Sequence, residues 1–412
     1  MPRIAKSPNV PGRSFPKTRP PDAVELFPFS YLLLAESTLI SVKGILHQML
    51  ARLDNFFDEL LHQFRNWTGW GKRSQFVVFP YRGFGTPEKL YLQGRALKYK
   101  PLYGTEHNSA WRSLVDSYRR FGSSEVRNAH LQIEINGHTF EAVTDEEGYF
   151  RLNEDLHPAL NLPSSLHWED VDVRLLKTPW RSTDFRTLGE VLFPGSSGSY
   201  GVISDIDDTI LQTHVTSLLK LKTIYFTVFK NAAGRKAFRE VTAFYQALQL
   251  DDTGRPVNPF FYVSNSPWNL YDLLKEFMSI NDLPKGPILL RDVGISRREA
   301  STTGGHKYSS IRRILDTYPD LPFLLIGDSG EKDADIYLHI AREYPERIRA
   351  IYIRDVRSPW RARRIANLIA DVKHVDIKLV SDYKEAAMDA ADRDLLDRDR
   401  FLAFRKEFSR SY

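Results

Sequence analysis

The sequence predicts an α/β protein, with a parallel sheet in its second half preceded by an antiparallel β-domain and a long amphipathic helix. Three observations predict it. From about Tyr200 onward, short apolar runs alternate with helix-patterned stretches, the order that builds parallel strands joined by crossovers. Runs through Ile203, Val263 and Ile326 end in acids or in hydroxyl and amide side chains, the chemistry expected at the carboxyl edge where such sheets bind ligands. Between residues 75 and 178 the pattern alternates with period two and breaks at turn residues.

Taken in order, residues 1–28 are rich in Pro and basic side chains and read as a disordered segment. Residues 29–70 read as a helical region, in which Val42, Leu46, Met49, Leu50, Leu53, Phe57, Leu60 and Phe64 would share one stripe. Its polar face mixes Asp54, Asp58 and Glu59 with Lys43 and Arg52. That favours packing on a protein surface over lying on a membrane, where a more basic face is usual.

Residues 71–192 read as a β-sandwich-like accessory domain, with runs at Phe76 and Leu90, a helix near residues 109–120 and a strand at Val171. Leu131 to Ile135 meets Phe140 across Asn136-Gly137, a hairpin signal. Pro194 to Ser199 is a linker. Residues 199–380 carry five expected strands, at Ile203, Val263, Leu289, Ile326 and Tyr352, and residues 381–412 read as a charged, solvated helical tail.

Composition narrows the chemistry. With 42% apolar residues the chain is ample for two cores. It has no cysteine, which excludes disulfides, thiolate nucleophiles and cysteine-based metal sites. The run from Tyr31 to Ala35 is far short of the ~20 residues that span a bilayer, and no signal-peptide pattern is expected. A soluble, cytoplasmic or peripheral protein is expected. Its net charge of +5 favours anionic partners without naming one.

The chemistry-bearing residues fall in four segments. Gly201 to Ile210 ends an apolar run with Asp205, Asp207 and Asp208, whose crowding calls for a cation or protonation. Asp-Asp-Thr, ending at Thr209, also suits a turn or a helix cap. Pro259 to Trp268 delivers Ser264 and Asn265 at a strand tip, where Ser264 could equally cap a helix. His306-Lys307 opens an amphipathic helix, and a lysine there could be a structural ion pair; His306 reads as structural. Phe323 to Asp335 delivers Asp328 and then Asp333.

In this order the four segments resemble the motifs of the haloacid dehalogenase (HAD) superfamily. The wording Asp-Ile-Asp-Asp-Thr-Ile, Tyr-Val-Ser-Asn-Ser-Pro-Trp, His-Lys and Gly-Asp-Ser-Gly-Glu-Lys-Asp is similar to the Actin Patch Protein type of phosphatidate phosphatase. The more distant lipin family carries Gly where Asp208 stands. Phe-Pro-Tyr-Arg-Gly-Phe-Gly-Thr from Phe79 fits that family's upstream domain more weakly.

The resemblance implies a HAD-type catalytic domain over residues 199–380 with a Rossmann-like sheet. It implies Asp205 as nucleophile, Asp207 as acid and base, and Ser264, Asn265 and Lys307 as phosphate-binding residues. Asp205, Asp207, Asp328 and Asp333 would hold Mg²⁺, a hard ion that prefers oxygen ligands. The expected partner is phosphatidate or a related anionic phospholipid, with peripheral membrane contact; nucleic acid is disfavoured. The alternatives are a phosphatase for soluble or nucleic-acid phosphomonoesters and a catalytically silent lipid-binding module, the latter opposed by the presence of both Asp205 and Asp207. An apolar insert near residues 214–230 could touch acyl chains or pack on the β-domain. The arginines Arg349, Arg354, Arg357, Arg361, Arg363 and Arg364 around Trp360 could be a solvated face or attract an anionic headgroup.

Overall fold

The structure is a computed structural model that describes residues 75–99, 124–206, 232–251, 253–291, 305–329, 333–355, 363–365 and 375–410. The expected helical region at 29–70, the helix at 109–120 and the insert at 214–230 lie outside the described residues. No helix among the described residues is long and apolar enough to cross a membrane.

Nine strands form the first sheet: β1 (Gln75–Pro80), β2 (Gly83–Thr86), β3 (Lys89–Tyr99), β4 (Ser124–Glu125), β5 (His130–Ile135), β6 (His138–Val143), β7 (Tyr149–Asp155), β8 (His167–Lys177) and β9 (Ser182–Phe193). Its path runs β1-β3-β2-β9-β8-β5-β6, with β4 and β7 also on β3. The hairpin expected at Asn136-Gly137 joins β5 to β6, with Ile135 opposite His138. Both turn residues have positive φ, 44° and 83°, which Asn tolerates and Gly adopts freely. The sheet is mixed rather than purely antiparallel, because β2 pairs parallel to β9, Gly83 opposite Val191. The two strands are remote in sequence, so no hairpin dictates their direction. Val78, Leu92, Ile133, Phe150, Val173 and Phe193 share the core of this sheet.

The second sheet holds β10 (Gly201–Asp205), β11 (Phe260–Pro267), β12 (Ile288–Arg291), β13 (Phe323–Asp328), β14 (Ile348–Arg354) and β15 (Asp376–Val380). All its pairings are parallel, in the order β12-β11-β10-β13-β14-β15. Helices α1 (Ala232–Gln249), α2 (Tyr271–Ile280), α3 (Gly305–Thr317) and α4 (Asp333–Glu343) fall between successive strands, and α5 (Tyr383–Asp392) and α6 (Arg398–Arg410) follow the last. Strand alternation sends Val202, Tyr262, Leu324 and Tyr352 into a core shared with α1, α2, α5 and α6. Ile203, Phe261, Leu325 and Ile351 enter the opposite core with α3 and α4. Because helices cover both faces, β10 is buried at every position.

Two expectations are corrected here. The sheet has a sixth strand, β15, beyond the five expected. The tail is not a solvated helix: Tyr383, Ala386, Ala387, Ala390 and Phe401 are buried in the first of these cores.

The segment from Phe79 joins the two sheets. Tyr81, between β1 and β2, and Phe84, within β2, each enter one of the two cores of the second sheet. The Tyr81 ring stacks on Trp268 at 4.2 Å, and Phe84 meets Phe261 edge-on at 5.6 Å. Arg82 pairs with Glu190 at 3.3 Å, and Glu190 also accepts from Lys285 at 2.5 Å.

Candidate active site

The apolar residues of β10 are fixed by both cores, so the strand delivers Asp205 to its carboxyl tip with no freedom to turn outward. Asp205 is fully buried and lies in register with Val263 of β11, while Ser204 lies opposite Ile326 of β13. Just beyond those partners stand the expected residues: Ser264 and Asn265 follow Val263 within β11, and Asp328 ends β13. Two helix starts supply the rest. Lys307 is the third residue of α3 and Asp333 the first of α4, where a carboxylate also suits the positive end of the helix dipole.

Lys307 Nζ lies 2.9 Å from Asp205 Oδ1 and 2.8 Å from Asp333 Oδ1. Lys307 is 1% exposed, and Asp205, Asp328, Asp333 and Ser264 are each 0% exposed. An ammonium is tolerated at such depth only when opposite charges hold it. Asp205 and Asp333 flank the ammonium, and Asp328 is buried at the end of the neighbouring strand.

Several residues that sequence reasoning passed over shape this group. A Cβ at Gly327 would lie 2.8 Å from Asp333 Oδ2 and 2.9 Å from Tyr337 Cε2, so only glycine lets the Asp333 side chain lie across β13. Tyr337 Oη donates to the Ile326 carbonyl at 3.0 Å. Burial pushes its phenol well above the usual value, so it stays a neutral donor. The Ser329 N–H donates to the Arg354 carbonyl at 2.9 Å, fixing the exit of β13. Behind β10, the hydroxyls of Ser204 and Tyr245 share a buried hydrogen bond of 2.7 Å. Gly327 and Ser329 stand inside the Gly-Asp-Ser-Gly wording, whereas nothing local marks Tyr337 or Tyr245.

The structure thus brings Asp205, Lys307 and Asp333 into direct contact, with Asp328, Ser264 and Asn265 at adjoining strand tips. Asp207, Asp208 and Thr209 lie outside the described residues. The Ser266 N–H donates to Ser264 Oγ at 2.9 Å, so the serine hydroxyl helps organise its own turn. His306 packs near the Leu289 carbonyl, and burial lowers its imidazole to about 4, leaving it neutral. Of the arginine group, Arg364 pairs with Asp335 at 2.6 Å, Arg354 lies 5.6 Å over the Tyr383 ring, and Arg349 is exposed; Arg357, Arg361 and Trp360 lie outside the described residues.

Among the described residues no three His, Asp or Glu side chains are assembled as a ready metal group. The side chains at this edge are nonetheless carboxylates, whose oxygens suit a hard divalent cation and no soft one.

Residues 200–355 match the family model described as "Phosphatidate phosphatase APP1, catalytic domain". Phosphatidate phosphatase APP1 of Saccharomyces cerevisiae is 36% identical over 157 residues, covering 37% of this chain and 25% of that protein. An uncharacterized protein of Schizosaccharomyces pombe is 29% identical over 225 residues, covering 54% of this chain and 35% of its own length. The chain therefore spans between a quarter and about a third of these curated relatives. Among solved structures, a carbohydrate acetylesterase from Xanthomonas citri aligns with 72% of this chain and 66% of its own at 11% identity, with a TM-score of 0.25. The match over residues 200–355 takes in every site residue described above and begins one residue before β10. What the comparisons show is a likeness of that segment to phosphatidate phosphatase APP1 catalytic domains.

Proposed function

We propose that the chain is a phosphatidate phosphatase that hydrolyses phosphatidate to diacylglycerol and inorganic phosphate in a HAD-type, Rossmann-like domain. The observation that carries this reading is the buried Asp205–Lys307–Asp333 contact at the carboxyl edge of the parallel sheet. Burying four charged side chains at one edge opposes folding, and a phosphotransfer reaction explains why they stand there.

Asp205, Asp328 and Asp333, with Asp207, would hold Mg²⁺. That ion would supply positive charge that lets an anionic carboxylate approach an anionic phosphoryl group. Asp205 Oδ attacks phosphorus, forming an acyl-phosphate bond as the bond to the glycerol oxygen breaks. Asp207 gives its proton to the departing alkoxide, then accepts a proton from the water that attacks phosphorus. The P–O bond to Asp205 breaks, and phosphate leaves. Lys307 faces the charge that develops on the phosphoryl oxygens, and Ser264 and Asn265 orient them.

Peripheral contact with a membrane from the cytoplasm is part of this proposal. The insert at residues 214–230 would meet the acyl chains. Phosphate release from phosphatidate liposomes, lysophosphatidate and soluble phosphomonoesters, each with Mg²⁺ and with EDTA, tests it. Preference for phosphatidate and loss of turnover in EDTA are expected. Equal turnover of the soluble esters would replace the lipid with a general phosphomonoester, and full activity in EDTA would remove the metal.

A further inference from the structure

Ser264, Asn265 and Ser266 occupy an irregular stretch of β11. On one side the register with β10 ends at Asp205 opposite Val263. On the other the register with β12 jumps from Val263 to Pro267. The geometry of the three residues therefore depends on what fixes the two ends. The inner end is held by the sheet, where the Ile206 N–H donates to the Val263 carbonyl at 3.2 Å. The outer end runs through Pro267 into a single 3₁₀ turn, Trp268–Leu270, which begins with no side-chain cap hydrogen bond. The turn closes on the Tyr271 N–H donating to the Trp268 carbonyl, and packing holds the turn as a whole.

The packing comes from the first sheet. Tyr81 stacks almost parallel on Trp268, 4.2 Å between centroids and 14° between planes, and leans on Tyr271 at 4.5 Å. The Arg82 N–H donates to Tyr271 Oη at 2.8 Å. All three rings are buried. The corner carrying Tyr81 is itself held: Arg82 pairs with Glu190, and both Arg82 and Lys285 face the Trp168 ring, at 5.5 and 4.3 Å. Tyr81 thus ties a corner of one sheet to the residue three positions past Asn265 in the other.

We infer that Tyr81 is a positioning residue for the Ser264–Asn265 turn, so that the first sheet sets how that turn meets a phosphoryl group. The inference rests on the phosphatase reading above. A stacked ring restrains both the tilt and the height of Trp268, which an aliphatic side chain of similar volume does not. Displacement of a positioning group by about 1 Å can cost on the order of 10²-fold in rate.

The test compares Tyr81→Leu and Tyr81→Phe with the unaltered protein in two readouts: titration with inorganic phosphate in the presence of Mg²⁺, and turnover of phosphatidate vesicles per folded molecule. Tyr81→Leu should weaken phosphate binding about 10-fold and lower kcat about 10- to 100-fold, while Tyr81→Phe, which keeps the stack, should stay within about 3-fold in both. Should Tyr81→Leu fail to fold, Trp268→Phe, which shrinks the stack without emptying it, is expected to weaken phosphate binding about 3- to 10-fold. A folded Tyr81→Leu protein that binds phosphate and turns over normally overturns the inference. So does a Tyr81→Phe protein as impaired as Tyr81→Leu. If the unaltered protein neither binds phosphate nor turns over phosphatidate, the phosphatase reading itself falls, and this inference with it.

Discussion

The two sheets bury charge in opposite ways. In the mixed sheet the one buried charged residue among those described is Asp172, 8% exposed, paired across strands with Arg186, whose side chain is 67% exposed to solvent. In the parallel sheet Asp205, Lys307, Asp328 and Asp333 stand together at 0–1% exposure. The first arrangement is a surface ion pair with one end sunk, and solvent screens it. The second concentrates like charge where no solvent relieves it, at the edge where crossover connections leave a crevice. A fold under selection for stability alone has no use for such a group, and on that contrast the proposed phosphatase reading rests.

The comparison predicts very unequal costs. Lys307→Met removes the cation that Asp205 and Asp333 share, and should destabilise the protein by about 3–5 kcal/mol and abolish turnover. Chemical denaturation alongside a phosphate-release assay checks it, and an undiminished midpoint would break the contrast. Gly327→Ala should leave the fold but push Asp333 off its seat, lowering kcat about 10²-fold. Normal kinetics would show that Asp333 needs no fixed position.

His306 sharpens the comparison through pH. Burial holds its imidazole at about 4, below the ordinary value of 6.5, so the unfolded chain binds the proton first as pH falls. Stability is therefore full above about 6.5 and declines as pH falls toward 4, by about 2–3 kcal/mol. His306→Gln should remove this part of the acid sensitivity in unfolding curves taken between pH 4 and 7, and an unchanged pH profile would contradict it. The smallest effect is expected at Asp172→Asn, with turnover unchanged and stability lowered by under ~1 kcal/mol. A loss of several kcal/mol would erase the distinction between the sheets.

What was legible in the sequence was local. Strands β10, β11 and β13 announced themselves because an apolar run that stops at Asp205, Ser264 or Asp328 is the pattern of a buried strand reaching a polar sheet edge, and Asn136-Gly137 because both positions accept positive φ. What escaped depends on distant partners. β15 is an edge strand whose Asp376 and Lys378 alternate with Ile377 and Leu379, mostly half-exposed, so it reads like any surface stretch. In α5 the buried stripe is Tyr383 followed by Ala386, Ala387 and Ala390, and the alanines are too small to register against the charges around them. The parallel pairing of β2 with β9 and the seating of Tyr81 on Trp268 join segments with no sequence proximity. In the site, the residue types and their order were readable, but the Lys307 bridge between Asp205 and Asp333 required the fold.

The most direct test of the central claim is Asp205→Asn. The substitution keeps the side chain's size and removes the oxygen nucleophile. With Mg²⁺ and phosphatidate vesicles, the variant should melt cooperatively like the unaltered protein and release phosphate slower by at least about 10⁴-fold. Folded Asp205→Asn protein that releases phosphate at near the original rate would contradict the account.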